Sequence, residues 1–62
     1  MTDAHDERNR KLRHDLSNPL AAVLAETQLL LLGEDSLDKQ TVESLRDIEA
    51  SARRMKEILQ ED

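Results

Sequence analysis

At 62 residues, with no Phe, Trp, Tyr or Cys, the chain has few large side chains for a core and no thiols for a disulfide framework or a thiolate zinc site. A net charge of −5 argues against general nucleic-acid binding, the longest apolar run, Leu29 to Leu32, is far too short to span a bilayer, and Met1 to Arg13 is too charged for a secretory signal. A soluble, cytoplasmic segment is expected, with no membrane or nucleic-acid contact, stabilised by oligomerisation because no other staple is present.

Residues 1–7 are polar and are expected either to fray or to continue a helix from upstream. From Arg8 the pattern becomes periodic. Leu16, Leu20, Val23, Thr27 and Leu30 follow one another at spacings of four and three, which places them along one helical stripe. The polar cluster "GEDSLD" then interrupts the pattern, and Gly33 falls at or just past the end of the first helix. Asp38 or Ser36 can cap the second helix, with Leu37 and Val42 as a hydrophobic staple around Asp38. Thr41, Leu45, Ile48, Ala52, Met55 and Leu59 repeat the four-and-three spacing, while Leu24, Leu31, Val42 and Ile58 widen the two stripes at their flanks. The domain therefore reads as residues 8–62, with a first helix over about 8–32, a turn over about 33–37 and a second helix over about 38–60. One hairpin covers only part of each stripe. The predicted fold is all-α: an antiparallel two-helix hairpin that dimerises into a four-helix bundle.

Within the first stripe lies "RHDLSNPLA", Arg13 to Ala21, an unusual stretch for a helix interior because proline lacks a backbone N–H and costs roughly 3 kcal/mol there. With Leu16 and Leu20 turned inward, His14, Asp15 and Asn18 fall on the outward arc, His14 and Asn18 one turn apart. Most surface histidines do nothing, but here the neighbours suit a nucleophile. A carboxylate that accepts the Nδ1 proton leaves Nε2 free to attack, and a carboxamide one turn away can position a water or a phosphoryl oxygen. Pro19 pushes against the carbonyl of Asp15 and loosens or bends the helix just below the histidine. An upstream "HDERN", His5 to Asn9, repeats the first part of the pattern without the Pro-Leu and ahead of the apolar stripe, so His5 reads as a bystander.

"HDLSNPL" resembles the H-box of the dimerisation and histidine-phosphotransfer domain of sensor histidine kinases, the HisKA type, in which an H-[ED]-x-x-[TN]-P-L pattern opens a two-helix hairpin. The leucine-rich end of the first helix, the acidic turn and "LRDIEASARRMKEIL" extend the resemblance over roughly Arg8 to Gln60. It implies that His14 is the phospho-acceptor, Asp15 the acid that orients and activates it, Asn18 the residue used in dephosphorylating the partner regulator, and Pro19 the helix-bending proline. The chain departs from the commonest form in having Asp15 where glutamate is more frequent and Ser17 where a basic residue often stands.

Continuing along the outward arc, Ala21, Ala22 and Ala25 make a smooth face that ends in Gln28, Leu29 and Leu32. Alanine is a good helix former and needs no further reason to be there, and a helix end near a turn often buries extra leucines under the loop. The resemblance implies that a response regulator's receiver domain docks on this face, over Ala21, Ala22, Ala25 and Leu29. Arg8, Arg10, Lys11 and Arg13 precede the histidine, and an antiparallel hairpin returns Arg53, Arg54 and Lys56 to the same end. These residues can hold a nucleotide's phosphates. The ordinary reading for most of them is a solvated helix face with i to i+4 pairs such as Glu49 with Arg53. The 62 residues carry no Gly-rich loop or other nucleotide-binding motif. No cofactor is therefore expected in this chain, and Mg-ATP is expected on a separate ATP-binding kinase domain. The function implied is the phospho-accepting, homodimerising fragment of a protein-histidine kinase. A freestanding histidine phosphotransfer protein and a purely structural two-helix dimerisation module are the alternatives.

Overall fold

Helix-forming residues run without glycine or proline up to Pro19, and Asp6 and Glu7 set negative charge near the positive end of the helix dipole. In the computed structural model, which describes residues 3–61, helix α1 accordingly spans Asp3–Leu32, a length of 30 residues. It is already helical at Asp3, the first described residue, rather than from about Arg8. The polar extension is thus a continuation of the helix wherever it is described. Pro19 lies inside α1 without interrupting it; the carbonyl of Asp15 loses its N–H partner, and the turns on either side carry the helix through.

Gly33 ends α1 with negative φ (−100°), its N–H donating to the carbonyl of Leu30 at 3.1 Å. A single 3-10 turn, Glu34–Ser36, follows. Ser36 donates both its N–H, at 3.0 Å, and its hydroxyl, at 2.8 Å, to the carbonyl of Gly33. Ser36 therefore closes the turn. The cap belongs to Asp38, whose Oδ1 accepts from the N–H of Thr41 at 2.6 Å and so starts helix α2, Lys39–Gln60, a length of 22 residues. Arg46 of α2 reaches back to Glu34 at 2.5 Å and ties the turn to the second helix.

The two helices pack along Leu20, Leu24 and Thr27 of α1 against Ala52 of α2, with Leu59 against the same cluster. Ala52 is 1% exposed, the most deeply covered of these residues. Thr27 is tolerated among them because its hydroxyl donates to the carbonyl of Val23 at 2.6 Å. Leu24, expected at the flank of the stripe, is core. Leu16, Val23 and Leu30, expected along its centre, remain exposed, as do Ile48, Met55 and Ile58 of α2. The apolar stripe is wider than one helix contact, and the hairpin uses one edge of it. The uncovered edge forms an apolar groove of about 320 Å³, with Leu16, Pro19 and Val23 on one wall and Met55, Ile58 and Leu59 on the other.

Candidate functional site

Leu16 and Leu20 turn toward α2 and the groove, which leaves the preceding and following residues of α1 in solvent. His14, Asp15 and Asn18 are all exposed, the His14 ring at 76% and the Asp15 side chain at 59%. Nδ1 of His14 stands 3.9 Å from Oδ1 of Asp15, too far for a hydrogen bond but within reach of a small side-chain rotation. Such a rotation fixes the tautomer with the proton on Nδ1 and the lone pair on Nε2. Asn18 follows one helical turn later, its carboxamide on the same arc.

The upstream copy of the pattern is arranged differently. Nδ2 of Asn9 lies 3.5 Å from Nε2 of His5, a long contact that sets the carboxamide against the nitrogen a nucleophilic imidazole needs free. Among the described residues the His14 ring has no such partner.

Ala21, Ala22 and Ala25 are exposed, as the outward arc requires. Ala25 and Leu29 share a shallow concavity with Gln28 and Leu32, and Ala21 and Ala22 lie outside it. Leu29 and Leu32 are 66% and 83% exposed. The turn therefore does not cover them; Leu31 and Leu37 are the half-buried leucines there. The basic residues divide as well. Arg53 pairs with Glu49 at 3.3 Å, as the i to i+4 spacing predicts, and Arg54 lies 3.8 Å from Glu57. Arg10 and Lys11 instead share a concavity with His14 and Glu7. The Glu34–Arg46 pair, made across the turn, had no signal in local spacing, since its partners are twelve residues apart.

The His kinase A (phospho-acceptor) domain family, HisKA, matches residues 4–61. The chain belongs to that family. Searches of curated proteins and of solved structures return no match. As a HisKA domain the chain is a piece of two-component histidine-kinase machinery, and its all-α hairpin suits assembly into a four-helix bundle. The family match includes residues 4–7, the part of α1 that lies ahead of the periodic stripe. No helix among the described residues is long and apolar enough to cross a membrane.

Proposed function

We propose that this HisKA domain is the phospho-accepting, homodimerising part of a cytoplasmic sensor kinase, with His14 as its acceptor. The observation that carries the reading is the exposed His14 ring with a carboxylate 3.9 Å from Nδ1 and no hydrogen-bond partner at Nε2 among the described residues, in a chain whose family is defined by phospho-acceptance. Mg-ATP is presented by a separate ATP-binding domain. The Nε2 lone pair attacks the γ-phosphorus in line; the N–P bond forms as the bond from phosphorus to the β–γ bridging oxygen breaks, and ADP leaves. Asp15 holds the Nδ1 proton and offsets the positive charge that develops on the ring. A receiver domain seated over Ala21, Ala22, Ala25 and Leu29 then brings an aspartate to the phosphorus, and the N–P bond breaks as the acyl phosphate forms. Asn18 aligns a water for the later hydrolysis of that acyl phosphate.

The test is incubation with an ATP-binding kinase domain and labelled ATP, followed by analysis of acid-labile phosphate. His14→Ala is expected to abolish labelling and His5→Ala to leave it intact. Label that survives His14→Ala and disappears with His5→Ala would overturn the assignment.

A further inference from the structure

The basic residues at the histidine end of the hairpin do not share one environment. Arg53 and Arg54 on α2 are engaged by Glu49 and Glu57 of their own helix. Arg10 and Lys11 on α1 are exposed and, among the described residues, make no ion pair. They stand four and three residues before His14, and with His14 and Glu7 they line a single shallow concavity. Every residue of that concavity belongs to α1. With 30 residues in α1 and 22 in α2, the first turns of α1 project roughly 12 Å beyond the end of α2. Arg10, Lys11 and His14 are themselves exposed, so the face that bears them is open to a ligand arriving from solvent.

We infer that Arg10 and Lys11 are the anion-holding side chains of the His14 site, gripping the oxygens of the phosphoryl group as it reaches Nε2 and while it stays there. The inference rests on His14 being the acceptor. Residues three and four apart on a helix are neighbours on its surface, and both stems are long enough to bring a cation to a group on the imidazole. A phosphoryl group carries close to two negative charges and three acceptor oxygens. Arg10 can meet two oxygens with its planar fork, and Lys11 supplies a mobile point charge. Such help is needed because Asp15, which the histidine requires for its Nδ1 proton, repels the incoming anion. Glu7 lies on the far side of the pair, three residues before Arg10 and four before Lys11, where it competes with the phosphoryl group for both cations.

The hairpin chain itself, treated with potassium phosphoramidate, provides the test without any kinase domain. The N–P bond forms at His14 as the donor's P–N bond breaks; ammonia leaves and the ring proton passes to solvent. The loading rate is followed by phosphorus NMR and intact mass, with helicity and mass of assembly measured alongside. Arg10→Gln with Lys11→Gln is expected to load His14 roughly three- to tenfold more slowly at low ionic strength. In about 1 M salt, where the screening length is about 3 Å, the wild type should slow to the variant's rate. The exchanged pair, Arg10→Lys with Lys11→Arg, keeps both charges and should retain most of the rate, whereas Glu7→Gln should raise it. A purely structural role for these side chains predicts neither the salt convergence nor the gain from Glu7→Gln. Should the double glutamine variant lose helicity, the exchanged pair and Glu7→Gln decide by the same readouts. Loading of His14 at the wild-type rate and with unchanged salt dependence in the double variant overturns the inference and leaves His14 as the acceptor. Failure of the wild type to load His14 while free imidazole in the same tube is phosphorylated removes both.

Discussion

At the scale of single residues, Asp15 and Asn18 share the exposed arc with His14 and stand in different relations to it. Asp15 stands 3.9 Å from Nδ1, so in the proposed mechanism Asp15→Asn removes the acceptor for that proton and the charge that supports the ring during attack. Asn18 is one turn away, where its carboxamide can align a water without standing between the imidazole and ATP. Autophosphorylation is therefore expected to fall about a hundredfold in Asp15→Asn and by much less in Asn18→Ala, which should instead lose dephosphorylation of the phospho-regulator. Equal loss of autophosphorylation in both, with dephosphorylation intact in Asn18→Ala, would reverse the two roles. The candidate site was legible in the sequence because it is local: a histidine, an acid and a carboxamide within one and a half helical turns keep their relation in any helix. The residue that governs packing was harder to read. Ala52 reads only as a small member of the second stripe, yet at 1% exposed it is the most deeply covered residue of the core it forms with Leu20 and Leu24. Ala52→Leu should overpack that contact and destabilise the hairpin by about 1–3 kcal/mol, measured by urea unfolding.

At the scale of the elements, the turn and the start of α2 hold two further expectations. Asp38 is the cap, and the Thr41 hydroxyl and N–H draw its carboxyl below the ordinary value of 3.8. A carboxylate whose folded value is depressed contributes stability that is complete above the unfolded value and is lost as pH falls through the folded one. Helicity of α2 should therefore decline below about pH 3.8 more steeply in the wild type than in Asp38→Asn, a difference that circular dichroism across an acid titration would show; parallel curves would remove the cap from the account. Gly33 points the other way. Its φ is −100°, and an added Cβ meets only the Leu30 carbonyl and the Ser36 hydroxyl, both at 3.8 Å. Gly33→Ala should thus be tolerated and stabilise by roughly 0.4–1 kcal/mol through the unfolded chain, read as a higher unfolding midpoint. The glycine marked the helix end in the sequence because glycine breaks helical periodicity, but the backbone there does not use its special freedom. The early start of α1 was less legible for the complementary reason: residues 4–7 carry helix propensity and no apolar stripe, so nothing in their pattern sets where the helix begins.

For the molecule as a whole, the hairpin alone has a core of Leu20, Leu24 and Ala52, with Thr27 beside them. Two leucines and an alanine are a small apolar contribution against a backbone-ordering cost of about 1–2 kcal/mol per residue, and the chain is 54 Å long and 14 by 12 Å across. The stripe left open, Leu16, Val23 and Leu30 with Ile48, Met55 and Ile58, runs beside that core and contains the apolar groove. A second hairpin related by a two-fold axis would place the same stripe against its own copy and close a four-helix core. Leu29 is exposed on a different arc, with Ala25, Gln28 and Leu32, so the two apolar regions can be separated by mutation. Val23→Glu, in the groove, is expected to give a monomer with reduced helicity at micromolar concentration, because the buried carboxylate would face its twin across the axis. Leu29→Glu should leave the dimer intact and weaken receiver binding instead. Sedimentation equilibrium distinguishes the outcomes, and the unfolding midpoint of the wild type should rise with protein concentration, as it must when folding and association are linked. A wild-type chain that sediments as a fully helical monomer, with a midpoint independent of concentration, would mean that the open stripe serves something other than a second copy.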